Sequence, residues 1–172
     1  SNGTHVAVVE VDPETGEVAI VRYVVVEDCG RIVNPMIVDG QTHGAVAQGI
    51  GNALYEDVAY DAGGQPLTTT FMDYLIPGTL EVPPVKVIHM ETPPAVSVTG
   101  FKGMAEGGTI GSTAAIANAV ADALAPLGVE IREPRFVGIG RDHDMARCVR
   151  EKIENDDIPL AATDDQVFSV EG

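Results

Sequence analysis

The feature that most constrains the fold is a glycine-rich segment, residues 100–111, that leads directly into a helix built from small residues. Ser112 or Thr113 is the expected N-cap of this helix, which is predicted to run to about Leu127. Alanine and aliphatic side chains lie on several of its faces, so the helix must be buried against other elements. The density of glycine before it indicates that another group approaches the backbone closely.

The first thirty residues predict a β-hairpin. Residues 6–11 and 17–27 are rich in valine, isoleucine and tyrosine, and residues 12–16 between them carry proline and glycine. Two such runs joined by a five-residue turn are typical of paired antiparallel strands.

The rest of the chain mixes helical and strand patterns. Residues 36–60 place apolar side chains at helical spacing, although glycines at 40, 44, 49 and 51 weaken such a helix unless something packs closely against it. Residues 85–90 predict a further strand, residues 68–74 a short one, and residues 142–155 an amphipathic helix. The fold class is therefore predicted to be α+β, with a mixed sheet packed against helices.

Composition excludes several classes of function. The 172 residues are 45% hydrophobic with no tryptophan, which predicts a real but aliphatic core. A net charge of −16 disfavours binding to nucleic acid and to anionic membranes. No apolar run approaches the ~18–20 residues of a membrane span, and Cys29 and Cys148 stand far apart without a metal-binding or disulfide pattern. A reduced, cytoplasmic setting is the expectation; the alternative is a processed, exported chain, which would have the same composition.

Glu106 is the sharpest candidate for chemistry. It stands among glycines just before the predicted helix, where backbone amides can contact a ligand. In a dry site such a carboxylate can act as a general base. The alternative is a solvated loop glutamate that stabilises the positive end of the helix.

Gln41 and His43, in the segment GQTHG at residues 40–44, form a second candidate site. The amide of Gln41 offers donors and an acceptor that suit a pterin-like edge, and His43 could be a ligand, a base or a hydrogen-bonding residue. The alternative is a polar helix start with both side chains in solvent. Cys29 lies beside Asp28, which disfavours a thiolate and makes it a poor nucleophile.

Taken together, these segments resemble the molybdenum hydroxylase family, which includes the large subunits of xanthine dehydrogenase, aldehyde oxidoreductase and carbon monoxide dehydrogenase. The matching motifs follow one another in the family order over residues 3–131. They are VEVDPETG at 9–16, EDCGRIVNP at 27–35, GQTHG at 40–44 continuing to GIGNALYE at 49–56, FMDY at 71–74 with Pro77, KGMAEGG at 102–108 and AAIANAVADAL at 114–124.

The resemblance implies roles for particular residues. Glu106 stands where the family places its active-site glutamate, which takes a proton while an electron-poor carbon of the substrate is hydroxylated and molybdenum is reduced. Gln41 matches a glutamine that hydrogen-bonds the pterin, and the backbone of Lys102, Gly103, Met104 and Ala105 would approach the cofactor. The metal is held by the pterin dithiolene, so no metal ligand is expected in this chain.

The resemblance also implies cofactors and partners. The cofactor would be molybdopterin with molybdenum, in its cytosine dinucleotide form, and a 2Fe–2S cluster and FAD would lie on partner chains. The substrate would be a small aldehyde or N-heterocycle. Because the family's large subunits are several times longer, we expect residues 1–131 to be the C-terminal part of a molybdopterin-binding domain completed by another chain.

Residues 132–172 depart from the family pattern and are expected to form a divergent tail, whose deletion from residue 141 onward should weaken assembly or stability. Two other functions are compatible with the sequence. One is a structural or assembly subunit that keeps the fold without catalysis; the other is an independent acidic binding module.

Overall fold

In the computed structural model, the described residues are 1–129 and 168–169. They form one four-stranded sheet, two helices and a short 3₁₀ turn. In chain order these are β1 (Asn2–Val11), β2 (Val18–Asp28), α1 (Pro35–Leu54), β3 (Val85–Met90), α2 (Gly107–Leu124), the 3₁₀ turn (Ala125–Leu127) and β4 (Phe168–Ser169).

The predicted hairpin is confirmed, with β1 starting four residues earlier than expected. Asp12 organises the turn, because its carboxylate accepts the backbone N–H groups of Glu14 at 2.8 Å and Thr15 at 3.2 Å. These bonds lower the pKa of Asp12. Gly16 closes the turn at φ 74°, a conformation that favours glycine.

The sheet is mixed, as predicted. Its strand order is β3-β2-β1-β4, in which β1 pairs antiparallel with β2 and with β4, whereas β3 runs parallel to β2. The parallel pairing requires a long connection from β2 to β3, and α1 lies in that connection.

Helix α1 ends at Leu54, six residues before the predicted end. It starts at Pro35, one residue before the predicted start, and is capped by Asn34, whose side chain accepts the N–H of Ile37 at 3.4 Å. Beyond Leu54 a different pairing competes for the chain, because the N–H of Leu67 donates to the carbonyl of Ala59 at 2.8 Å and Tyr60 pairs with Pro66.

The strand predicted at residues 68–74 is wrong. The carbonyl of Thr70 accepts the N–H groups of Asp73 at 3.1 Å and Tyr74 at 2.9 Å, and the Thr70 hydroxyl bonds the Asp73 carboxylate. These local bonds bend the segment into a turn that cannot join a ladder.

Helix α2 begins at Gly107, so the prediction of a cap at Ser112 or Thr113 is wrong. Both hydroxyls instead donate to the carbonyl of Thr109 inside the helix, at 3.2 Å and 3.0 Å. Residue Glu106 therefore occupies the N-cap position itself.

The helical stretch Gly107–Leu127 is, contrary to expectation, long and apolar enough to cross a membrane by length and composition alone. The central helix of a globular fold passes the same test. In this fold the helix packs against α1 and β1.

The core lies between the sheet and the two helices and is aliphatic, as expected, apart from Tyr23. Its fully buried members include Val25 on β2, Val46 and Ile50 on α1, and Ile116, Val120 and Leu124 on α2. The predicted helix at 142–155 lies outside the described residues, and the division at residue 131 stays a prediction.

Candidate functional site

Glu106 lies at the start of α2, at the end of a partly exposed loop that runs from Lys102. Its carbonyl accepts the N–H groups of Thr109 and Ile110, each at 3.1 Å, which fixes its backbone as the first turn of the helix. Its carboxylate makes no capping bond to the helix and is exposed in this chain. The acid is therefore held by its backbone while its side chain stays available.

The loop also presents a row of backbone donors. Within the described part of the chain, the N–H groups of residues 103–108 have no hydrogen-bond acceptor. The last of them belong to the first turn of α2, where the helix dipole is positive. This donor set fits the oxygen-rich, anionic groups of a phosphorylated pterin cofactor.

Gln41, on α1, contacts this loop directly. Its side-chain Nε2 donates to the carbonyl of Ala105 at 2.7 Å, across 64 positions of sequence. The fold thus brings Gln41 and Glu106 to the same loop, so Gln41 is not merely a polar residue at a helix start. Among residues 1–129 its side-chain oxygen has no partner, so it remains free to accept a bond from a ligand; the contact with a pterin stays a prediction.

The side chain of His43 has a structural role in this chain. Its two ring nitrogens lie 2.7 Å from the carbonyl oxygen of Asp39 and 3.2 Å from that of Val85. Since both contacts are to backbone carbonyls, the ring ties α1 to the start of β3.

Two buried polar residues that were not predicted from the sequence lie beside the first turn of α2 and support the loop. Glu27 on β2 is 5% exposed, and its carboxylate accepts the hydroxyl of Thr42 on α1 at 3.0 Å. Its other oxygen lies 3.5 Å from the points where Gly107 and Gly108 would carry a Cβ. A carboxylate beneath the first turn of α2 is favourable because it faces the positive end of the helix.

Lys102 is engaged within the protein. Its Nζ lies 3.0 Å from the carboxylate of Asp28, the last residue of β2. The pKa of Asp28 is held well below its usual range, first by a hydrogen bond from the Thr92 side chain and then by the N–H of Gly30, Lys102 and the N–H of Thr92. Asp28 stands in the matched EDCG motif, but nothing in its local sequence shows which lysine it meets.

The thiol of Cys29 is buried next to this pair. Burial, and the neighbouring charges of Glu27, Asp28 and Glu91, raise the pKa of Cys29 above its ordinary value. This agrees with the expectation that Cys29 is a poor nucleophile. Within the described residues no group of three histidine, cysteine or acidic side chains could hold a metal ion.

Comparison with known proteins identifies the family to which this chain belongs. Residues 1–83 match the model of a molybdopterin cofactor-binding domain. The chain is 50% identical over 134 residues to the nicotine 6-hydroxylase large subunit of Paenarthrobacter nicotinovorans, covering 77% of this chain and 16% of that protein. It is 39% identical over 127 residues to the carbon monoxide dehydrogenase large chain of Hydrogenophaga pseudoflava, covering 74% and 16%.

A solved structure agrees with the sequence matches. The crystal structure of quinoline 2-oxidoreductase from Pseudomonas putida 86 superimposes with a TM-score of 0.73 at 50% identity, over 75% of this chain and 16% of that one. The chain thus spans about a sixth of the length of the relatives it matches. It belongs to the molybdenum hydroxylase family and corresponds to part of the molybdopterin-binding domain of the large subunit.

Proposed function

We propose that this chain forms one wall of a molybdenum hydroxylase active site, in which Glu106 is the catalytic base and the loop from Lys102 to Ala105, with Gln41, holds the molybdopterin. The observation that carries the proposal is the arrangement around this loop. An available carboxylate, a row of unpaired backbone donors and the Gln41 amide all meet at the start of α2.

The residues of this chain have distinct tasks in such a site. The backbone N–H groups of residues 103–106 donate to cofactor oxygens, and the Gln41 side-chain oxygen accepts from the pterin edge. Glu106 takes the proton released as the substrate is hydroxylated. When bound, the molybdenum cofactor supplies the two-electron acceptor for the reaction. We expect its cytosine dinucleotide form, with 2Fe–2S and FAD on partner chains.

The substrate class is proposed from the relatives' names. Nicotine and quinoline, which name two relatives at 50% identity, are N-heterocycles. A ring nitrogen makes the adjacent carbon electron-poor, which suits attack by oxygen at that carbon. We therefore propose an N-heterocycle rather than an aldehyde as the substrate.

The exposed position of Glu106 implies a covering partner, since a base works best in a site closed to water. Large apolar side chains in the segment after α1 are also exposed, above all Phe71, Met72 and Leu80. Exposed apolar patches of this kind mark interaction surfaces. We propose that the remaining part of the molybdopterin subunit, expected on another chain, covers both, and that the assembly is cytoplasmic.

The substitution Glu106→Gln in the assembled enzyme tests the proposal. It keeps the shape of the side chain but removes its ability to accept a proton. General-base catalysis is worth roughly 10²–10⁴-fold in rate, so we expect kcat to fall by about that factor. Molybdenum and pterin content, measured on the same preparation, should stay at the wild-type level.

Glu10→Gln is the matched control. Glu10 is an exposed glutamate on β1, at the end of the β1–β2 pair remote from Asp28, and its substitution should leave kcat unchanged. If Glu106→Gln also leaves kcat unchanged, Glu106 is not the base. That result would favour the structural or assembly role.

A further inference from the structure

The ion pair between Asp28 and Lys102 joins the end of β2 to the start of the candidate site loop. Asp28 is 4% exposed. One oxygen of its carboxylate accepts the N–H groups of Gly30 at 2.9 Å and Thr92 at 3.2 Å, and the other meets the Lys102 ammonium at 3.0 Å. A buried carboxylate with this many donors is fixed in position, and removal of one partner leaves charge uncompensated.

The backbone around Lys102 is fixed to the same strand end. The N–H of Lys102 donates to the carbonyl of Cys29 at 2.8 Å, and the N–H of Arg31 donates to the carbonyl of Gly100 at 2.9 Å. Gly30 has φ 69°, and a Cβ there would lie 2.3 Å from the Gly100 carbonyl oxygen. Only glycine allows the two segments to approach this closely.

The loop between Lys102 and Glu106 is therefore held at both ends. At its far end, Gln41 bonds the Ala105 carbonyl and the first turn of α2 packs against α1. At its near end, Lys102 is fixed by the ion pair with Asp28 and by the bond from its N–H to the Cys29 carbonyl. Only three residues, 103–105, separate Lys102 from Glu106, so a shift at Lys102 is transmitted to the carboxylate.

We propose that Asp28 and Lys102 are positioning residues, which set the place of Glu106 and of the loop amides through the ion pair, and that the Lys102 ammonium does not itself bind the cofactor. This rests on the proposed function of Glu106. The Nζ of Lys102 lies 3.0 Å from the Asp28 carboxylate and the side chain is only 16% exposed, so the ammonium is engaged in this ion pair.

Lys102→Met in the assembled holoenzyme is the first test. Hydrogen exchange should speed up by about 10-fold or more at the amides of Lys102 and Arg31, which are both hydrogen-bonded across this junction. Because a displacement of about 1 Å can cost roughly 10²-fold in rate, we expect kcat to fall about 10–100-fold, with KM changed less than about threefold. Cofactor content should remain at the wild-type level, and Lys102→Arg should restore most of kcat.

Lys86→Met is the matched control, since it removes an exposed lysine on β3. It should change neither amide exchange nor kcat. Asp28→Asn separates positioning from direct binding: it should reproduce the loss of kcat seen in Lys102→Met. Wild-type behaviour of Asp28→Asn alongside a loss of cofactor in Lys102→Met would overturn the proposal.

The double variant Asp28→Asn/Lys102→Met removes both charges. It leaves no buried charge without a partner, so it can fold even if one of the single variants does not. If the two residues act as one unit, its loss of kcat should be no greater than that of the worse single variant. Additive losses would overturn the proposal. The two proposals can fail separately. If Glu106→Gln leaves kcat unchanged, the proposed catalytic role of Glu106 is wrong. Amide exchange does not depend on turnover, so it still tests whether Lys102 and Asp28 hold the loop in place.

Discussion

At the scale of single residues, His5 is a partly buried histidine beside Tyr23 and α2. Its ring lies between β1 and α2, with Nδ1 2.8 Å from the Tyr23 hydroxyl. A Cβ on Gly111 would lie only 2.3 Å from the ring, so a side chain there would force the ring to move. Burial lowers the pKa of His5 below its ordinary value.

We predict that His5 stabilises the protein fully above about pH 6.5 and progressively less below it. The sign follows because the unfolded chain binds the proton more readily than the buried ring does. Unfolding should be followed by urea titration from pH 7.5 to pH 5. The variant His5→Gln should lose this part of the pH dependence; identical slopes for the two proteins would contradict the prediction.

The local sequence was enough to single out Glu106 and Gln41, but not the residues that hold them in place. Glycines around Glu106 and the polar GQTHG segment are visible in the sequence. The bond from Gln41 to Ala105 and that from Thr92 to Asp28 each span 64 positions, and no local pattern reveals which residues the fold brings together. Glu27, Thr42 and Lys102 acquire their roles in the same way.

At the scale of elements, α1 and α2 pack closely through glycine. A Cβ on Gly49 would lie 1.7 Å from the Ser112 hydroxyl oxygen and 2.8 Å from its Cβ, and one on Gly108 would lie 2.7 Å from the Ala45 Cβ. Gly44, on the same helix as Gly49, has no atom within 4 Å of its Cβ position in the described part of the chain. Helix α1 therefore contains one glycine, Gly49, that is needed for close packing, and another, Gly44, where a side chain has room.

We predict opposite effects of alanine at these two positions. Gly49→Ala should lower the free energy of unfolding by about 1–3 kcal/mol, because the added methyl overfills the helix contact. Gly44→Ala should raise it by up to about 1 kcal/mol, since alanine is the better helix former. Thermal and urea unfolding measure both; a stabilised Gly49→Ala protein would contradict the packing described.

Elements were predictable where their signals are local. The hairpin follows from the turn at residues 12–16, and Asn34 with Pro35 marks the start of α1. The ends of α1 and α2 were mispredicted because other bonds compete: residues 59 and 67 pair beyond α1, and the backbone of Glu106 already caps α2. Hydrophobic spacing alone cannot weigh such alternatives.

At the scale of the whole molecule, the sheet and helices form a platform whose site faces outward. The α+β class and the aliphatic core were predictable, because β-rich runs and a helix of small apolar residues must bury their apolar faces against one another. The parallel order of β2 and β3 was not, since pairing depends on contacts across the fold. β4, which belongs to the segment predicted to be a divergent tail, pairs with β1 through Val8 and Val9.

The outward-facing loop and the exposed apolar residues after α1 are explained if a second part of the subunit closes over them. The central claim is therefore that this chain is a cofactor-binding part of a larger molybdenum enzyme. Glu106, Gln41 and the loop amides would then contact one bound cofactor.

The most direct test is the molybdenum and molybdopterin content of the native assembly purified through this chain. Metal analysis and pterin release should give close to one molybdenum and one pterin per copy of the chain. An intact, active assembly that contains neither would contradict the account.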